Sequence, residues 1–405
     1  MGELRGQRVL FVLTQALDPN SGGVQMSTWK LGSYFSSKGA DVAVFSFAPH
    51  GHKKQDFAYL CTGEAPGGER SRINLDCLAR FIRVFRPTVV INQMPYEHQI
   101  GEVLTRDKSY LLIGCLRNTL YSVRANLEAY ANGLLPSWLQ PLARSAPGRA
   151  GLLAVHRRRH RKDLEQILKN YDYFVMFGPP NLEELRYFVP GYDPAKIKLI
   201  PNSIPHVADV VPLKENRILW LGRVSHLQKR ADLILEVWKQ VSEKLPDWSL
   251  DIVGDGPALG DIKRAVVEGG IPRVDIHGRQ VPDPFYSRAS IFFMTSTFEG
   301  FPNTLVEAQS YGAIPVLFNS YPIAQWIIQS DDVGVLVPPL DVKAMSDRII
   351  EIAKDPNRDG LAEASLKNAK RFGIEQVGAK WLALLAEGDR YRAQSVNGPG
   401  SGHLR

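Results

Sequence analysis

Arg223 and Lys229, six residues apart, and Glu299 and Glu307, eight apart, have types and spacings that could do chemistry together. In "LGRVSHLQKRADL" (221–233) Arg223 follows a strand pattern and Gly222, and Lys229 stands where a helix is predicted to begin. A guanidinium fork and a compact ammonium, held by a small-residue turn, form a clamp for a diphosphate. On residue types alone, both are equally readable as surface cations. "VGDGP" (253–257) adds a strand end, a Gly-Asp-Gly turn at Gly254 and a Pro suited to the first turn of a helix. Such a turn lets a nucleotide approach the backbone.

"TFEGFPNTLVEA" (297–308) reads as a loop opening into a helix, and two readings stand side by side. In one, Thr304 and Glu307 form a capping box and Glu299 is a solvated loop acid. In the other, Phe301, Pro302, Asn303, Thr304 and Leu305 supply the start of a helix whose backbone N–H groups face an anion or a sugar hydroxyl. Glu307, one turn in, then accepts hydrogen bonds from a ribose diol.

The elements that must hold these residues alternate short β-branched runs with helical stretches, the grammar of an α/β protein with parallel sheets. "RVLFVLT" (8–14), a Gly22–Gly23 turn, a helix ending at Gly39 and "DVAVFSF" open the first half. "TVVINQ", "YLLIGCL" and "YDYFVMF" continue it, and 118–160 reads as helical insertions over its mouth. A proline-rich linker, 199–216, precedes a second half that restarts with "RILWLG". The expected domains are 1–203 and 204–374, then a helix at 375–391 with Trp381, Leu382, Leu384 and Leu385 as its apolar stripe, and a disordered tail at 392–405. Two doubly wound halves place ligands in a cleft between domains.

Apolar content of 44% and charged content of 22% are those of a globular protein. No apolar run reaches the roughly 20 residues that cross a bilayer, and the N-terminus lacks a signal-peptide pattern. Cys61, Cys77 and Cys115 lack a metal-ligand spacing and suit reduced thiols, hence a cytoplasmic location. The net charge of +7 is uneven: residues 117–162 hold nine Lys/Arg and one acid. That stretch is either a solvated helix face or a footprint for anionic partners, a membrane surface included. No recognition helix or zinc spacing accompanies it, so nucleic acid is not an expected partner.

Taken in order, "GR…K", "VGDGP", "IHG" and "EGFPNTLVEA" resemble the donor domain of family 4 retaining glycosyltransferases, and the resemblance extends over nearly the whole chain. It implies the GT-B fold: two facing Rossmann-like domains with a cleft between them and a C-terminal helix crossing back to the first. On the matching residues it implies that Arg223 and Lys229 neutralise a diphosphate leaving group and that Glu307 holds the ribose. Glu299 and the backbone from Gly300 to Asn303 would wall the donor sugar. Gly278 and Arg279 would pack on the base, and Gly22 and Gly23 would face the diphosphate. No Asp-x-Asp occurs, so no metal and no cofactor are expected beyond a UDP- or GDP-type sugar donor.

One departure concerns Arg117 in "CLRNT", where relatives often carry His near the donor sugar. Arg cannot cycle protons at neutral pH. It would bind an acidic sugar, an anionic acceptor or the diphosphate, or else form a salt bridge with Glu97 or Glu102. Arg230 similarly stands where relatives often have Gly. The expected activity is transfer of a sugar to a saccharide or lipid-linked acceptor, metal-independent and by front-face attack, at the inner face of the membrane. The alternative is an inactive GT-B scaffold subunit. A nicotinamide-dependent dehydrogenase is disfavoured, since "TQALDPNSGG" lacks its Gly-x-Gly-x-x-Gly.

Overall fold

The computed structural model describes residues 3–19, 21–48, 59–106, 108–127, 131, 140, 145–204 and 207–397. The chain divides into two compact units, one of residues 1–117, 154–203 and 374–405, the other of 118–153 and 204–373. A single cut at 203 therefore does not describe the first boundary, because 118–153 groups with the second unit.

The first unit is a seven-stranded sheet, parallel throughout. Its strands are β1 (Arg8–Leu13), β2 (Asp41–Ser46), β3 (Tyr59–Thr62), β4 (Val89–Asn92), β5 (Leu111–Cys115), β6 (Tyr173–Met176) and β7 (Ile197–Leu199). They lie in the order β3-β2-β1-β4-β5-β6-β7. Helices cover the sheet, so β1, β4 and β5 are unbroken apolar runs rather than alternating ones. The order reverses between β1 and β4, and ligands of such sheets bind beyond the carboxyl ends of strands at a reversal. The helix Ile374–Asn397 completes this core, with Trp381 edge-on to Phe35 at 6.2 Å. Trp381, Leu384 and Leu385 are buried, Leu382 only partly. Gly378 and Gly388 permit the approach: a Cβ on them would lie 2.3 Å from Tyr34 and 2.4 Å from Leu111.

The second unit repeats the winding with six strands. They are β8 (Glu215–Leu221), β9 (Ser249–Val253), β10 (Val274–Gly278), β11 (Ala289–Met294), β12 (Ile314–Phe318) and β13 (Val335–Val337), in the order β10-β9-β8-β11-β12-β13. The reversal lies between β8 and β11. Two buried tryptophans satisfy their N–H groups, Trp220 on Thr295 at 3.1 Å and Trp238 on the Pro272 carbonyl at 2.8 Å.

Three expectations change. The helix predicted from 229 begins at Asp232, because Arg230 sits in the left-handed region (φ 46°) and closes a turn first. The C-terminal helix continues through Asn397, so 392–397 is not a disordered tail; 398–405 lies outside the described residues. Within 118–160 the described helices are Ser122–Ala125 and the long Ala146–Asn170, while 128–130, 132–139 and 141–144 lie outside the description. Among the described residues no helix is long and apolar enough to cross a membrane.

Candidate functional site

The loop after β8 and the loop after β11 meet at the reversal of the second sheet. Thr295 donates to the Lys229 carbonyl at 2.6 Å, and the Thr297 N–H donates to the Gln228 carbonyl at 2.9 Å. Gln228 returns its side-chain amide to the Phe298 carbonyl and to Glu299, both at 3.1 Å. These bonds fix the Lys229 ammonium against the Glu299 carboxylate at 2.6 Å, with the Glu299 side chain 9% exposed and that of Lys229 14%. Glu299 is therefore not a solvated loop acid. Removing one partner of a pair this deep leaves an uncompensated buried charge. Arg223 differs: it is exposed, with no acidic partner among the described residues. The two cations are thus unequal, one anchored and one open.

The capping box does not form. Helix Asn303–Gln309 has Pro302 at its N-cap and no side-chain cap, and Thr304 lies inside the first turn. The reason is register: Pro302, which has no N–H, stands where the chain enters the helix. Two of the expected backbone donors are taken, since the N–H groups of Asn303 and Leu305 bond to the carbonyls of Phe301 and Pro302. Phe301 and Leu305 bury their side chains, Phe301 edge-on to Phe372 at 5.6 Å. Glu307 is half-buried and accepts from the Tyr286 hydroxyl at 3.2 Å. Burial, and then the Glu307 charge, push that hydroxyl far above the usual phenol range.

The Gly-Asp-Gly turn has a reason the motif did not disclose. A Cβ on Gly254 would lie 1.8 Å from the Gly222 carbonyl oxygen, and one on Gly256 would lie 2.4 Å from that of Val224. Gly254 has φ 142° and donates to the Gly278 carbonyl at 2.8 Å. The backbone that approaches these glycines is therefore the protein's own, the turn carrying Arg223. Gly278 has φ 67° with open space around it, and Arg279 after it is exposed.

Asp251, Asp275 and His277 bring possible metal-ligand atoms within 4.8 Å of one another. They do not fit a cation. Arg217 and Arg288 donate to the buried Asp251 at 2.9–3.0 Å, His277 lies 2.7 Å from it, and Arg217 also donates to Asp275 at 2.7 Å. Two guanidiniums already offset both carboxylates.

Gly22, Gly23 and Arg117 belong to the first unit. Gly22, after β1, is extended (φ 165°) and needs no glycine for its backbone; Gly23 starts the helix Gly23–Ser37. Arg117 follows β5 and donates to Asn202 at 3.2 Å and to Ser27 at 3.5 Å. The expected salt bridge with Glu97 or Glu102 is absent among the described residues, and the Arg117 Nε is buried without a partner. Gln228, Tyr286 and Asn202 are the neighbours that residue types did not single out. Only Gln228 left a signal, its position beside Lys229.

Residues 215–355 match the family model of glycosyl transferases group 1, a span that holds every second-unit residue discussed from Arg223 to Glu307. The amylovoran biosynthesis glycosyltransferase AmsD of Erwinia amylovora is 30% identical over 189 residues, covering 45% of this chain and 52% of that protein. A Campylobacter jejuni protein, GalNAc-alpha-(1->4)-GalNAc-alpha-(1->3)-diNAcBac-PP-undecaprenol alpha-1,4-N-acetyl-D-galactosaminyltransferase, is 27% identical over 200 residues, 47% of this chain and 55% of that protein. The chain spans about half the length of the curated relatives it matches. Sucrose-phosphate synthase from Thermosynechococcus elongatus superposes with a TM-score of 0.72 at 17% identity, over 97% of this chain and 100% of that one. This is a likeness of fold, and it bears out the expected α/β GT-B class with two Rossmann-like units.

Proposed function

We propose that the chain is a retaining family 4 glycosyltransferase. It moves a hexosyl group from a UDP- or GDP-type sugar to a hydroxyl of a saccharide or lipid-linked acceptor. The observation that carries this reading is the cluster at the reversal of the second sheet, where an exposed Arg223 shares a loop with Lys229, which is paired with the buried Glu299. The family match over the same span supports it.

Cleavage of a glycosyl–phosphate bond builds negative charge on the departing diphosphate and positive charge on the sugar. Cations fixed before the reaction favour that transition state over the ground state. Arg223 supplies the fork; Glu299 and Gln228 hold Lys229 in place. Glu307, oriented by Tyr286, takes the ribose hydroxyls, and Gly278 and Arg279 border the base. This cationic charge does the work a divalent ion would otherwise do, and front-face attack on the sugar retains its configuration without a covalent intermediate. The C. jejuni relative's name specifies a glycan on undecaprenyl diphosphate, which supports a lipid-linked acceptor. The helix Ala146–Asn170 exposes Arg158, Arg159 and Lys162, none with an acidic partner among the described residues, which suits an anionic membrane surface.

The test is a panel of nucleotide sugars followed for nucleotide diphosphate release, with a Glu307→Ala control and with chelator. Slow hydrolysis of one donor, lost in the control and indifferent to chelator, is the expected result. Failure of every nucleotide diphosphate to bind would overturn the reading in favour of a scaffold subunit. Anionic liposomes should bind the protein more strongly than neutral ones at low salt.

A further inference from the structure

We infer that the pocket at the end of β5 in the first unit is an oxyanion site, with Arg117 as the residue that selects a carboxylate- or phosphate-bearing sugar. The pocket is small. Its polar wall is Ser27, Arg117, Asn202 and Ser203, and Phe177 and Trp381 are the largest members of its apolar wall. Arg117 has no carboxylate within reach among the described residues; its hydrogen bonds go to an amide oxygen at 3.2 Å and a hydroxyl at 3.5 Å. Its Nε is buried with no partner. A guanidinium cannot shed its proton at neutral pH, so the charge stays. Burial disfavours it, with only the Cys115 thiol beside it acting in the other direction.

A lysine braces the loop that forms one wall of the pocket. Lys30, 4% exposed, donates to the Ser203 carbonyl at 3.4 Å, on the loop that carries Asn202. The planar fork of Arg117 presents paired donors that match two oxygens of one anionic group. The inference rests on the proposed glycosyltransferase reading only in naming a sugar as the bearer of that group.

Calorimetric titration of the full chain tests it, in an Arg223→Ala background so that the other open cation does not capture the anion. The probes are D-glucuronate, inorganic phosphate and, as the neutral control, D-glucose. Glucuronate or phosphate, whichever the site takes, should bind at least about tenfold more weakly once Arg117→Gln is added, a loss of the size expected for one charge-assisted contact. Arg117→Lys, which keeps charge but loses the fork, should fall between. Arg117→Gln should also raise the melting temperature without ligand, by roughly 2–4 °C, because it removes an unpaired buried charge. Failure of both anions to bind, equal binding of the bound anion with and without Arg117, or glucose bound as tightly as that anion overturns the proposal. UDP binding by the unsubstituted chain is read separately. Its absence beside Arg117-dependent anion binding would sink the glycosyltransferase reading and leave this site standing.

Discussion

In the second unit the half-buried ammonium of Lys229 meets a carboxylate at 2.6 Å, and the buried Asp251 meets two guanidiniums. In the first unit the guanidinium of Arg117 meets an amide, a hydroxyl and the Cys115 thiol, and no carboxylate among the described residues. His160 there stacks on Tyr96 at 5.2 Å and stands edge-on to Phe188 at 4.9 Å, with its Nε2 buried and unbonded. Burial, reinforced by His156, pulls the His160 pKa down to about 4. The Lys229 site and the Arg117 site thus handle a positive charge in opposite ways. Pairing closes the Lys229–Glu299 and Asp251 clusters on themselves and leaves Arg223 open. The first unit holds a cation that its own fold does not satisfy. A charge with no internal partner is weak as structure and informative as a site.

The comparison extends to the glycine turns, where the largest effect lies. Gly254→Ala puts a methyl group 1.8 Å from the Gly222 carbonyl and should cost about 4 kcal/mol or more. Gly22→Ala meets only the flexible Gln25 side chain at 3.0 Å and should cost less than about 1 kcal/mol. Urea unfolding of both variants reads the difference, and equal losses would break the contrast.

Next come the cations. Lys229→Met strands Glu299 and should destabilise by about 3–5 kcal/mol, most of it recovered in the Lys229→Met/Glu299→Gln double variant. Arg117→Met strands no partner and should be neutral or stabilising in the same denaturant series. A loss as large as that of Lys229→Met would mean Arg117 is a structural residue after all.

The pH dependence should separate the units further. His160 is neutral in the folded state and takes up a proton near pH 6.5 when unfolded. Its contribution is therefore full above pH 6.5 and falls away as pH drops toward 4, by at most about 3 kcal/mol. Stability of the chain between pH 7 and 4, compared with a His160→Phe variant, should show that sensitivity reduced. The smallest effect is at Arg230, whose left-handed backbone (φ 46°) suits Gly but whose side chain binds Asp232 at 2.6–3.0 Å. Arg230→Gly relieves the one and loses the other, so the net change should stay within about 1 kcal/mol.

Much of the fold was legible because parallel strands buried on both faces are written as unbroken apolar runs, as in "RVLFVL" and "IPVLF". Arg223, Lys229, Glu299 and Glu307 were legible as candidates, by type and position alone. Their relations were not. Thr304 has the spacing of a cap, yet Pro302 takes that position. Lys229 and Glu299 read as separate members of a clamp and a wall, yet they form one pair.

The residue order by itself determined the alternation of strands and helices, the glycines at the strand ends and the identities of the charged groups. Those follow from local pattern and composition, which act over a few residues. Only the tertiary structure decided which charges were neutralised. Lys229 and Glu299 lie 70 residues apart, and Arg117 and Asn202 lie 85 apart. What a buried charge meets at that separation is set by the winding of the sheets. It left Lys229 with a carboxylate and Arg117 with an amide oxygen.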